Sequence, residues 1–184
     1  MADLKIEIAQ ERPFSSLEEE ALLNVIRTAD CFNRTFHLNM RGWGVTSTQY
    51  NVLRILRGAH PAALTCSEIG TRMIATDPDI TRLLRRLKAL KLIRQNRDRH
   101  DRRIVLTRIS ETGLELLEQM DPVVERLPIE MLGSLNRKEL AELIRLMEQG
   151  RRFSLEGAGT CDQETAVDGP RSGHGTVSCD GKKA

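Results

Sequence analysis

The stretch TRLLRRLKALKLIRQNRDRHDRRIVLTRI, residues 81–109, changes its apolar period halfway along. Ile80, Leu83, Leu84, Leu87 and Leu90 recur at intervals of three and four, the spacing that stacks side chains on one side of a helix. At ~100° per residue, Pro78, Thr81, Arg82, Arg85 and Arg86 fall on the opposite side. The stripe ends at Leu92. From Ile93 the period shortens: IRQ (93–95) and RIVLTRI (103–109) read as two strands rich in Ile, Val and Thr. The polar segment NRDRHDRR (96–103) between them reads as a hairpin loop. A basic amphipathic helix therefore runs straight into a basic β-hairpin.

The charge of this region is hidden by the average. The 184-residue chain has a formal net charge of +2. Between Arg72 and Arg108 stand 12 Lys and Arg against 4 Asp and Glu, an excess of +8, and the remainder carries −6. A local excess of this size is an electrostatic footprint for a polyanion. On charge alone, a merely solvated face is the competing reading.

On the N-terminal side, Ser16 to Leu38 reads as a helix, with Leu17, Ala21, Val25, Ala29, Phe32 and Phe36 at helical spacing. RGWG (41–44) breaks it. Thr46 or Ser47 can cap a second helix carrying Tyr50, Leu53 and Leu56. GAHPAAL (58–64) reads as a turn with a short strand. TCSE (65–68) has the form of a capping box, Thr65 with Glu68, opening a third helix through Met73. Thr76 or Asp77 is expected to cap the basic fourth helix, with Pro78 in its first turn. Ser110 restarts a long helix, with Leu114, Leu117, Val124, Leu127 and Met131 inward and a kink at Pro122. NRKE (136–139) caps a last helix, whose stripe of Leu140, Leu143, Ile144 and Met147 ends near Gly150. The segment from Ser154 to Ala184 is rich in small polar residues and is expected to be disordered.

Only 3% of the residues are aromatic and 40% are hydrophobic, so the core is expected to be Leu, Ile, Val and Met. No stretch reaches the ~18 apolar residues of a membrane span. The opening MADLKIEIAQERPF has acids and no apolar centre, so neither a signal peptide nor a membrane is expected, and the location is expected to be cytoplasmic. The four cysteines, Cys31, Cys66, Cys161 and Cys179, show no C-x-x-C spacing and suit a reducing compartment. His174 with Cys161 and Cys179 matches no tetrahedral ligand pattern. No cofactor or metal is expected.

The element order is that of a winged helix-turn-helix. A helix about as wide as the B-DNA major groove can insert with its leucines on the core and Arg82, Arg85 and Arg86 toward guanine edges or phosphates. Its N-terminus offers N–H groups to a phosphate. Arginines of the hairpin, Arg97, Arg99, Arg102 and Arg103, can reach the minor groove, where negative potential is focused in A·T-rich tracts.

Residues from about Leu38 to Gly113 resemble the MarR family of bacterial regulators. LTCSEIGTRM is similar to the step into the family's recognition helix, and ITRLLRRL to the recognition helix itself. RDRHDRRIVLTRISETG resembles the family's wing. On that match Asp101 and Arg103 are the wing pair, the arginine entering the minor groove and the aspartate holding it. Three positions depart from the pattern: Lys91 and Ile74 stand where glycine is common, and Arg85 where many members carry an acid.

The resemblance implies a mainly α fold with a small β-wing. The winged helix-turn-helix would occupy about 46–110 and dimerisation helices about 16–39 and 111–150. Together they make a domain over 16–152, between an N-terminal extension (1–15) and a disordered tail (153–184). It implies a homodimeric, ligand-responsive repressor on double-stranded DNA with a palindromic operator. Leu132, Leu135, Leu140, Leu143, Leu146 and Met147 agree with a dimer, being more apolar surface than one helix can hide. A small aromatic or phenolic ligand would meet Phe32, Phe36, His37, Arg41, Trp43 and Tyr50, unless these simply pack a helix junction.

The alternative reading is a redox-sensing regulator through Cys66, near a helix N-terminus, or through Cys31, whose first expectation is to fill apolar space. No H-E-x-x-H, G-x-S-x-G, P-loop or G-x-G-x-x-G occurs, so an enzyme is not expected. A winged helix that binds protein would carry apolar anchors on its basic face, and this face carries none.

Overall fold

The computed structural model describes residues 3–75 and 77–161. It contains α1 (Leu4–Glu7), α2 (Leu17–Met40), a 3-10 turn (Arg41–Trp43), α3 (Ser47–Ala59), α4 (Cys66–Arg72), α5 (Ile80–Ala89), β1 (Ile93–Arg97), β2 (Val105–Ile109), α6 (Glu111–Leu132) and α7 (Arg137–Cys161). The chain divides after Gly133 into two compact units.

Caps set most boundaries in the first unit. The Ser16 side chain accepts the N–H of Glu19 to start α2. Thr46 with Gln49 and Thr65 with Glu68 form reciprocal capping boxes at α3 and α4. Gly44 closes the 3-10 turn at φ 69, a left-handed conformation that glycine adopts without steric cost.

The start of α5 differs from expectation. Thr76 lies outside the described residues, and the cap is Asp79, whose Oδ1 accepts the N–H of Arg82 at 2.9 Å. Pro78 therefore sits in the turn before the helix rather than in its first turn.

The core joins α3, α4, α5, the hairpin and α6. Val52, Leu53 and Leu56 of α3 meet Ile69 of α4, Leu83, Leu84 and Leu87 of α5, Ile93 and Ile109 of the strands, and Leu117 and Met120 of α6. Leu90, expected on this stripe, is exposed because α5 ends at Ala89. The strands pair antiparallel, Ile93 opposite Ile109 and Arg97 opposite Val105. Leu64 adds a single bridge to Thr107, the short strand expected in 58–64.

α2 buries only Met40; Leu17, Leu22, Val25, Ile26 and Leu38 stay exposed. Cys31 is exposed too, which corrects its reading as an apolar filler. α6 runs through both Pro122 and Pro128. Within the second unit, Asn136 Oδ1 accepts the N–H groups of Lys138 and Glu139 to cap α7. α7 continues past Gly150 to Cys161, which corrects the start of the tail at 153; residues 162–184 of that expectation lie outside the described residues.

Candidate nucleic-acid interface

α5 is pinned by its leucines, so the rest of its surface faces outward. Thr81, Arg82, Arg85, Arg86 and Lys88 are all exposed. Thr81, Arg85 and Lys88, spaced i, i+4, i+7, line one side of a groove of about 640 Å³. Gln95, Arg103, Ile104, Val105 and Thr107 of the wing line the other, and Thr65, Cys66 and Ser67 close its end. Arg82 and Arg86 are not among the groove's lining and form a separate strip one step around the helix. Pro78, before the helix, is exposed.

The N-terminus of α5, where N–H groups were expected to meet a phosphate, carries acids of its own. Asp79 occupies the N–H of Arg82, and Asp77 Oδ1 accepts the N–H of Asp79 at 2.8 Å. Two carboxylates at that end oppose an anion.

The wing tip is organised by its own acids. Asp98 Oδ1 accepts the N–H groups of His100 (2.8 Å) and Asp101 (3.1 Å). These bonds hold the Asp98 carboxyl below the usual carboxylate range. Asp101 Oδ1 accepts the backbone N–H of Arg103 at 2.8 Å. It fixes the arginine through its main chain, and no ion pair joins the two side chains. Arg97 Nη1 donates to the Arg102 carbonyl at 3.3 Å. Arg97, Arg99, Arg102 and Arg103 are exposed.

The ion pairs among the described residues fall on Arg27, Arg34, Arg57, Arg126 and Arg145. None involves an arginine of α5 or the wing. Among the described residues, the cations of this surface are thus left without an ion-pair partner. Lys88, Gln95 and Thr65 were missed from the sequence; the i+7 spacing from Thr81 was the available signal for Lys88.

The expected ligand residues separate. Phe32, Phe36 and Tyr50 line a cavity of about 260 Å³ with Asn51, Arg54, Ile74 and Met131. The Phe36 and Tyr50 rings lie 5.7 Å apart at 52°, and Arg54 Cζ stands 5.9 Å from the Tyr50 ring centre. Burial pushes the Tyr50 hydroxyl above its ordinary pKa. Trp43 lines a different concavity of about 310 Å³ with Leu90, Leu92 and Glu115. His37 and Arg41 are exposed and line neither.

A MarR family profile matches residues 43–104, from the turn before α3 into the wing. A crystal structure of a MarR transcription factor from Planctomyces limnophilus is 36% identical, with a TM-score of 0.59 over 74% of this chain and 99% of that one. The chain belongs to the MarR family. It is also 30% identical to the HTH-type transcriptional repressor NicR of Pseudomonas putida over 57% of this chain. It is 25% identical to Bordetella bronchiseptica BpsR, a protein whose DNA binding is regulated by 6-hydroxynicotinic acid, at a TM-score of 0.65 over 72% of this chain and 99% of that one. The matched segments span 53% and 65% of the curated relatives' lengths. MarR proteins are transcriptional regulators rather than enzymes, so the cationic groove belongs to a winged helix of a DNA-binding family. Among the described residues, no helix is long and apolar enough to cross a membrane.

Proposed function

We propose that the chain is a sequence-specific regulator that binds double-stranded DNA as a homodimer and represses from a palindromic operator. The observation that carries this is the groove in which Arg85, Lys88 and Arg103 converge without a single acidic partner. α5 is sized for the major groove, and the wing stands beside it to reach the adjacent minor groove. Arg82 and Thr81 are assigned to base edges; Arg85, Arg86, Lys88 and, on the wing, Arg97, Arg99, Arg102 and Arg103 to phosphates and the minor groove.

The dimer is supported by apolar side chains that one chain leaves uncovered. Leu22 and Ile26 of α2, Ile129 of α6, and Ile144 and Leu146 of α7 are all exposed. A second copy is the partner that suits them, and its two-fold axis calls for inverted half-sites. Repression follows the similarity to NicR.

Ligand response rests on the Phe36–Tyr50–Arg54 cavity. Two rings and a guanidinium suit a small aromatic acid. Ile74 and Ala75 of the segment leading into α5 border the same cavity, and Asn51 Oδ1 accepts the Ile74 N–H at 3.0 Å. A ligand there would press on the mount of the recognition helix. The cytoplasmic location is part of the same reading.

The test is selection of binding sites from a random duplex library by the purified protein, with the mass of the complex measured by ultracentrifugation. Enrichment of an inverted repeat bound by two chains is expected. Failure to enrich any sequence would overturn the proposal.

A further inference from the structure

The wing has a second face. Gln95 and Thr107 turn toward the groove described above, and Arg94 and Arg108 alternate with them on the other side. Both are exposed, and they are paired directly across the strands. Opposed side chains in a sheet have Cβ atoms about 4.5–5.5 Å apart, and like charges there are destabilising. Among the described residues neither arginine has an ion-pair partner.

The positive track continues toward the tip. A shallow cleft of about 340 Å³ takes in Arg108, Arg97 and Arg99. The acid within it, Asp98, is occupied by the N–H groups of His100 and Asp101. Arg108 Nε donates to the Pro61 carbonyl at 3.3 Å, which steadies its guanidinium without neutralising it. From Arg94 to Asp98, just past the end of β1, the extended chain rises about 14 Å at roughly 3.4 Å per residue. The minor groove is only about 7.5 Å deep. A tip seated in it would hold Arg94 and Arg108 above a straight duplex.

We propose that the outer face of the wing is a second phosphate-binding track, occupied by DNA flanking the operator half-site as the duplex bends toward the protein. Its cross-strand repulsion is relieved when phosphates lie between the guanidiniums. This rests on the DNA-binding reading, which places the tip in the minor groove.

The test uses the full chain and a site it selects from a random library. One duplex ends just beyond the selected repeat; the other extends about one helical turn, roughly 10 bp, at each end. Wild-type protein is expected to show a steeper salt dependence on the long duplex, by about 0.9 in slope per added phosphate contact. The pair Arg94→Gln and Arg108→Gln should abolish that difference and leave binding to the short duplex unchanged. The pair Arg94→Lys and Arg108→Lys should keep it. Equal wild-type slopes on both duplexes, or an equal loss by the Gln variant on both, would overturn the proposal. If no site is selected at all, the DNA-binding reading itself falls and this one with it.

Discussion

The Ser110 hydroxyl donates to the Lys91 carbonyl at 2.7 Å. Its oxygen also accepts the Gly113 N–H at 3.1 Å, so one side chain caps α6 and clamps the chain between α5 and the wing. Lys91 is held there at φ 60, a left-handed conformation that a side chain resists. The helix end does contain the turn for which the family's glycine is suited, and Ser110 fastens it.

Two substitutions should move stability in opposite directions at this clamp. Ser110→Ala removes the cap and leaves a buried site one partner short, lowering stability by about 1–2 kcal/mol. Lys91→Gly relieves the left-handed residue and should raise stability by about 0.5–1 kcal/mol. Urea unfolding of both variants measures this.

Gly113 allows the close approach of α6 to the wing. A Cβ built there would stand 2.3 Å from the Leu92 carbonyl oxygen, a backbone atom that has little room to give. Gly113→Ala should therefore cost more than about 2 kcal/mol, through backbone displacement rather than lost burial. Thermal unfolding beside Gly150→Ala, which meets nothing within 4 Å, isolates the effect.

Arg57 of α3 and Asp121 of α6 form a two-pronged ion pair, 2.8 and 3.0 Å, with each side chain about one-third exposed (34% and 33%). Solvent screening keeps its coupling modest despite good geometry. A double-mutant cycle with Arg57→Ala and Asp121→Ala should give about 0.5–1.5 kcal/mol.

Acid should loosen the wing tip before the fold. Asp98 titrates below its ordinary value because the folded tip donates N–H bonds to the carboxylate. A depressed folded pKa means the stabilisation is complete above the unfolded value and is lost as pH falls through the folded one. The amide signals of His100 and Asp101 should lose protection in that acidic range, and Asp98→Asn should show the loss already at neutral pH. Unchanged exchange in Asp98→Asn would contradict this account of the tip.

Much of the fold could be read locally. The capping boxes at Thr65 and Thr46 and the Ser110 cap depend on side chains three residues apart, so sequence spacing reports them directly. The α5 stripe and the switch to strands are similarly local. The α5 cap was misplaced because Thr76, Asp77 and Asp79 all suit a cap, and the choice depends on how the preceding loop returns to α3 through Asn51 and Ile74. The ligand candidates separated for a comparable reason. Phe36 and Trp43 are near in sequence, but α2 ends between them at Met40 and the 3-10 turn Arg41–Trp43 carries Trp43 into a different cavity. Arg54 was overlooked because its place beside Tyr50 is an i+4 relation on a helix read only for its apolar side.

In the proposed complex, Arg85 of α5 and Arg103 of the wing grip phosphates of one duplex from opposite sides of a shared groove. The most direct measurement is the salt dependence of binding to a selected site for wild type and the Arg85→Ala/Arg103→Ala double variant. The slope of log K against log salt should fall by about 0.9 per lost contact, close to 1.8 for the pair in each subunit. A double variant that binds more weakly but keeps the full wild-type slope, or that binds equally well, would contradict it.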